Sequence, residues 1–86
     1  MMSSQNFESP RFERILISNP KTYVPEFRII EISYITEVKQ DMQNLDIWSF
    51  EVHLYDGRVR VLSMEDKQDA YELHSRFFKQ LAVDRK

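Results

Sequence analysis

Apolar and polar residues alternate cleanly over residues 47–55, and this alternation predicts a β-strand. The apolar residues of one face are Trp48, Phe50, Val52 and Leu54. Asp56 and Gly57 follow as a two-residue turn, and Gly57 is the only glycine of the chain, which indicates a type I′ hairpin. In that register Leu54 lies opposite Val59, so we expect an apolar pair on the Trp48 face.

The chain after this hairpin has the pattern of a capped amphipathic helix. Ser63 precedes Asp66 by three residues, which is the spacing of a capping box. From there to about residue 82, apolar residues recur with a helical period and fill an arc of roughly 180°. They are Ala70, Tyr71, Leu73, His74, Phe77, Phe78, Leu81 and Ala82. A helix on a sheet usually needs an apolar arc of only about 100°, so this helix has a surplus.

The first half of the chain predicts three more strands. Residues 12–18 have apolar side chains on both faces, which is typical of two-sided burial or an edge position. Residues 19–26 contain two prolines and must form a loop. The alternation then changes phase, which predicts a strand at about 27–32, a turn or bulge around 33–36 and a strand at about 36–42.

These elements predict one domain over residues 10–86, preceded by a mobile tail at residues 1–9. We expect an α+β fold in which a four- to five-stranded, antiparallel and strongly bent β-sheet carries one C-terminal α-helix. In outline this element order resembles the end of a pleckstrin-homology-type domain, where a final helix closes a bent sheet. The resemblance implies a fold and no ligand. Residues 12–18 either join this sheet or exchange between copies.

The composition of the chain excludes several classes of function. The chain has 86 residues, a net charge of −2 and no cysteine, so disulfides, thiolate nucleophiles and cysteine-metal sites are excluded. No block of basic residues would suit duplex nucleic acid or an anionic membrane. We expect a cytoplasmic protein, because neither a secretory leader nor a membrane span is recognisable.

Neither catalysis nor a bound cofactor is expected. The single glycine already occupies a turn, so the sequence has no glycine-rich phosphate loop. His53 and His74 are the only histidines, and the predicted pattern places them on opposite sides of the sheet. A shared metal site is therefore not expected.

The surplus apolar arc of the helix is the strongest functional signal. One explanation is deeper burial, with residues 19–26 or the first strand covering that side. The other is a protein interface, most simply between two copies, built from Tyr71, His74, Phe78 and Ala82. His74 either bonds a backbone carbonyl or a tyrosine as a neutral core residue, or loosens a subunit interface when it becomes charged in mild acid.

A second hypothesis concerns the opposite sheet face of the terminal hairpin. The predicted register places Tyr55 opposite Arg58 and His53 opposite Arg60. An aromatic ring beside two guanidinium groups would suit weak binding of single-stranded nucleic acid. The alternative is a solvated face in which acidic neighbours neutralise the arginines.

Overall fold

The computed structural model describes residues 11–40 and 45–84, which form a mixed sheet of five strands and one C-terminal helix. The elements are β1 (Phe12–Leu16), β2 (Ile29–Ile32), β3 (Thr36–Gln40), β4 (Leu45–Leu54), β5 (Val59–Met64) and α1 (Lys67–Asp84). The fold is therefore α+β, as predicted. The predicted tail at residues 1–9 lies outside the described residues, as does the end of the strand predicted at about 36–42.

The sheet is open and mixed, which corrects the expectation of a purely antiparallel sheet. Its order is β1-β5-β4-β2, and β3 pairs with β4 on the same side as β2. β1 runs parallel to β5 within the same chain, with Ile15 opposite Leu62. Alternation identifies the faces of a strand but carries no information about the direction of its neighbour, so the sequence pattern left this pairing undetermined.

The hairpin between β4 and β5 has a three-residue loop, and the predicted register was wrong by one residue. Gly57 N donates to Leu54 O at 3.0 Å, and Leu54 N donates to Arg58 O at 2.9 Å. Gly57 has φ of 93°, as expected for a type I turn completed by a glycine bulge. His53 therefore lies opposite Val59. Because side chains alternate with period two, this shift exchanges the two faces of β5.

The phase change in the first half, predicted as a turn or bulge around residues 33–36, lies at the irregular segment between β2 and β3. Ile32 pairs with Val52 and Thr36 pairs with Ser49, so the three residues between β2 and β3 oppose two of β4 and form a bulge. At this bulge Ser33 N donates to Glu51 O at 3.0 Å, and Ser33 Oγ accepts from Glu51 N at 2.8 Å. The serine hydroxyl thus replaces the carbonyl that a regular ladder would supply.

The core lies between α1 and the inner face of the sheet. The helix contributes Ala70, Leu73, Phe77 and Leu81 to it. The largest fully buried side chains of the sheet are Ile29, Phe50, Val52, Leu62 and Met64. Asp66 caps α1, since its Oδ1 accepts from Gln68 N at 2.8 Å and from Asp69 N at 3.3 Å. The predicted cap was Ser63, which instead lies buried in β5.

Candidate interaction surface on the helix

The surplus apolar arc of α1 divides into a buried stripe and an exposed flank. We call Tyr71, His74, Phe78 and Ala82 the helix flank. Tyr71 is 52% exposed and Phe78 is 60% exposed, whereas Phe77, one residue earlier, is 2% exposed. Ala82 is exposed and His74 is half-buried. The structure thus places the four predicted interface residues side by side on one side of α1.

The loop between β1 and β2 covers the opposite side of α1, so it does not explain the surplus. Arg76 donates through one nitrogen to Pro20 O and Tyr23 O, each at 2.6 Å. The Tyr23 ring lies 5.8 Å from the Phe77 ring. These contacts hold the proline-containing loop against the side of the helix that carries Arg76. The helix flank consequently has no cover from this loop.

His74 joins the helix flank to the core. Its Nε2 lies 2.9 Å from Ser33 O, so this nitrogen carries the proton and donates to the carbonyl that the bulge directs toward α1. The imidazole meets the Phe50 ring edge-on, at 4.9 Å and 80°. On its other side it stacks on Phe78, with an interplanar angle of 14°. The predicted bond to a backbone carbonyl is therefore present.

Sequence reasoning missed Lys67 and Trp48, which extend the helix flank toward the start of α1. Lys67 Nζ lies 5.4 Å from the centre of the Trp48 ring and 6.0 Å from that of Tyr71. The four-residue spacing from Lys67 to Tyr71 was the available signal. An acidic pair borders this end, where a hydrogen bond to Asp46 raises the pKa of Glu37.

The edge of the sheet nearest the end of α1 is protected against strand addition. Ile29 N at the start of β2 donates to Asp84 Oδ2 at 3.0 Å, so this group is already satisfied. β2 has only four residues and carries a register shift between Ile29 and Glu31. Short, bulged and charged edges disfavour pairing with another strand. Strand addition is therefore disfavoured at this edge of the sheet.

The residues of the nucleic-acid hypothesis do not form one strip. With the observed register, Arg60 shares a face with Val52 and not with His53. His53 Nε2 lies 2.9 Å from Glu51 Oε1, and the Tyr55 ring lies 4.5 Å beneath the guanidinium of Arg28. Arg58 donates to Asp56 Oδ2 at 2.6 Å. The predicted platform of one aromatic ring beside two open guanidinium groups is absent from this hairpin.

Arg60 belongs instead to an ion pair with Glu26 of the β1–β2 loop, in which the arginine side chain is buried and the carboxylate is partly exposed. The hydrogen bonds from Arg60 hold the pKa of Glu26 below its usual range, and those same bonds raise the pKa of Arg60. Burial, followed by the charge of Glu26, raises the pKa of the Tyr23 hydroxyl. The geometry fastens the loop to β5, which indicates a structural role.

Two further concave surfaces lie in the described part of the chain. A depression of about 380 Å³ on the outer sheet face contains Arg14 and Glu51, and a cleft of about 220 Å³ lies between Pro20 and Arg76. Among residues 11–40 and 45–84, no three histidine or acidic side chains are placed to hold a metal ion. The helix within these ranges is not apolar enough to cross a membrane.

Comparison with known proteins adds no assignment. No family model matches the chain, and no curated protein or solved structure matches it. The function must therefore be argued from the geometry of the molecule.

Proposed function

We propose that this chain is a non-catalytic interaction module that pairs with a second copy of itself through the helix flank. The observation that carries this proposal is the exposure of two large aromatic side chains, Tyr71 and Phe78, beside a well-packed core. Aromatic residues on a surface are typical anchors of protein interfaces. The proposal includes a cytoplasmic location and requires no cofactor or small-molecule substrate. The proposal also includes the resemblance of the fold to a pleckstrin-homology-type domain. No ligand is inferred from that resemblance.

Size supports pairing with another copy. A domain of 86 residues buries a smaller fraction of its surface than a larger one, so association is an effective way to bury more. The residues of the helix flank lie on one side of α1, whereas scattered single exposed residues would need no explanation. A second copy is always available at the same concentration as the first.

The mass of the protein in solution tests this proposal. Light scattering should give a dimer for the natural chain and a monomer for Phe78→Asp. Val83→Asp is the matched control, because Val83 is 63% exposed and faces a different side of α1. This control should remain dimeric, and circular dichroism should show folded helix in both variants. A monomeric natural chain, or a Phe78→Asp variant that stays dimeric, would contradict the proposal.

A further inference from the structure

The strand β1 forms the edge of the sheet that lies away from β2 and β3. Its backbone pairs only with β5, and just beyond it Ile17 N donates to Ser63 O at 2.8 Å. Because successive backbone groups of a strand point to opposite sides, the N–H and C=O groups of Phe12, Arg14 and Leu16 point away from β5. These groups have no hydrogen-bond partner among the described residues. This edge therefore offers a row of free backbone donors and acceptors.

The local structure of β1 suits the addition of another strand. The strand pairs with β5 over the five consecutive residues Phe12–Leu16 without a bulge and contains no proline. All of its residues except Ile15 are exposed. The edge at β2, by contrast, carries a register shift and has its first N–H bonded to Asp84. An exposed edge without a bulge or a proline is a template for pairing with another chain.

Two depressions lie beside the carboxyl end of β1, and both are lined by Leu16 and Ser18. One of them, of about 290 Å³, continues to the start of α1. The other, of about 300 Å³, continues to Thr22 and Tyr23 of the β1–β2 loop. When a strand is added to a sheet edge, backbone hydrogen bonds give affinity, and pockets for alternate side chains give specificity. The end of β1 provides both features.

The depression at the start of α1 is acidic. It is lined by three carboxylates, none of which forms an ion pair within the described ranges: Glu65, Asp66 and Asp69. A helix dipole supplies roughly half a unit of positive charge at the start of a helix, so it compensates only part of this negative charge. A positively charged side chain is therefore the complementary occupant of this depression.

The charges of β1 limit where that basic side chain can stand. Glu13 Oε1 lies 3.8 Å from Arg60 Nε, whereas Arg14 has no ion-pair partner within residues 11–40 and 45–84. A basic residue directly opposite Arg14 would be repelled. Two β1 strands paired antiparallel about their midpoint would set Arg14 against Arg14, which disfavours a second copy. Residues 1–10 contain no lysine or arginine and one glutamate, so this segment also lacks the complementary charge.

We propose that the free edge of β1 binds an extended segment of a partner protein by strand addition. The segment bonds the backbone of Phe12, Arg14 and Leu16, carries apolar side chains at alternate positions, and has a basic residue at the end beside the start of α1. The helix flank lies toward the other edge of the sheet, where His74 contacts Ser33. The β1 edge is therefore a second surface, and it does not depend on self-association.

Short synthetic peptides, mixed with the whole chain, test the charge of the partner segment. In these probes valine and threonine alternate, and two lysines stand at the amino end or at the carboxyl end, so that both strand directions are covered. Fluorescence anisotropy should show that one lysine peptide binds about tenfold more tightly than its glutamate counterpart. The double variant Glu65→Gln, Asp69→Asn should lower that affinity about tenfold, the loss expected for two exposed ion pairs. Glu72→Gln, which removes a carboxylate outside this depression, should leave the affinity unchanged.

Leu16→Pro tests the backbone contact. Leu16 N points away from β5, so proline removes a donor of the free edge without breaking a hydrogen bond of the sheet. This variant should keep the circular dichroism of the natural chain and lose binding of the lysine peptide. Hydrogen exchange gives a second readout that needs no variant. The lysine peptide should slow exchange of the Phe12, Arg14 and Leu16 amides and leave those of Glu13 and Ile15, which already face β5, unchanged.

Each of the other outcomes overturns the proposal. Absence of binding by both lysine peptides, or equal binding of the glutamate peptides, excludes a basic segment at this edge. Binding that survives Leu16→Pro without slowed exchange lies elsewhere on the molecule. A smaller mass in solution for Leu16→Pro than for the natural chain means that the edge pairs with a second copy. Binding that begins only after residues 1–9 are removed means that the chain's own segment covers the edge.

The dimer expected through the helix flank is tested separately. Phe78→Asp, which should abolish that dimer, should bind the lysine peptide with the affinity of the natural chain. Loss of peptide binding in this variant, with the fold retained, would overturn the independence of the two surfaces.

Discussion

The guanidinium of Arg60 and the carboxylate of Glu26 form the most enclosed ion pair among the described residues. Arg60 Nε donates to Glu26 Oε1 at 3.0 Å, and its Nη2 donates to Glu26 Oε2 at 2.9 Å. The Arg60 side chain is 5% exposed, whereas Glu26 is 40% exposed. The pair connects β5 to a loop that otherwise contacts the helix, so it fixes how the β1–β2 loop closes one side of the core.

Removing Glu26 should therefore destabilise the fold. Loss of one partner from a buried pair costs about 3–5 kcal/mol, because the remaining charge stays desolvated. Glu26 is partly exposed, and Glu13 Oε1 lies 3.8 Å from Arg60 as a substitute carboxylate, so we expect about 2 kcal/mol for Glu26→Ala. Urea unfolding at pH 7 measures this as a lower midpoint.

Glu72→Gln supplies the control for this substitution, because it removes an exposed carboxylate from the helix. It should change the free energy of unfolding by less than about 0.5 kcal/mol. Adding Arg60→Met to Glu26→Ala should restore part of the lost stability, since the unpaired charge is then gone. Equal effects of Glu26→Ala and Glu72→Gln would show that the pair contributes little.

The same pair predicts how stability depends on pH. Because the folded pKa of Glu26 lies below the ordinary value of 4.5, the unfolded chain binds the proton more tightly. The contribution is therefore fully present above pH 4.5 and is lost as the pH falls through the folded pKa. Urea midpoints of the natural chain should fall more steeply below pH 4.5 than those of Glu26→Gln. If the urea midpoints of the two proteins changed with pH in the same way, this explanation would be wrong.

The Gly57 turn shows which features of the fold can be predicted from the sequence and which cannot. The glycine correctly located the hairpin, but two-residue and three-residue loops both place glycine at a left-handed position. The prediction assumed a two-residue loop, which placed Arg60 on the wrong face of β5. Its pairing with Glu26, 34 residues away in the sequence, was therefore not predicted. Helical periodicity, by contrast, placed Tyr71 and Phe78 on one side of the helix without any knowledge of distant contacts, although it left open whether another part of the chain covers that side.

Gly57→Ala tests the left-handed conformation of the turn. No atom lies within 4 Å of the position a Cβ would occupy, so the cost is conformational and not steric. We expect a loss of about 1 kcal/mol, the typical penalty for an L-residue in this region. Gly57→Asn should lose less, because asparagine tolerates positive φ. A denaturation series that ranks alanine above asparagine would contradict this account.

Two serines of the sheet make opposite predictions for the same substitution. Ser33 Oγ accepts from Glu51 N at the bulge, so Ser33→Ala should cost about 1 kcal/mol by leaving that donor unpaired. Ser63 is 4% exposed, and its Oγ has no hydrogen-bond partner among the described residues. Ser63→Ala removes an unsatisfied hydroxyl and should be neutral or stabilising. Unfolding midpoints that order the two variants the other way would refute both assignments.

Adjacent phenylalanines on α1 separate the core from the helix flank. Phe77 is buried at 2% exposure, so Phe77→Ala should cost about 3–5 kcal/mol at any protein concentration. Phe78 is 60% exposed, so Phe78→Ala should change the stability of the isolated monomer by less than about 0.5 kcal/mol. If the helix flank binds a second copy, the natural chain gains stability at high concentration by mass action, whereas Phe78→Ala does not. Thermal unfolding at two concentrations a hundredfold apart measures the difference. Midpoints that are independent of concentration for both proteins would show that Phe78 supports no association.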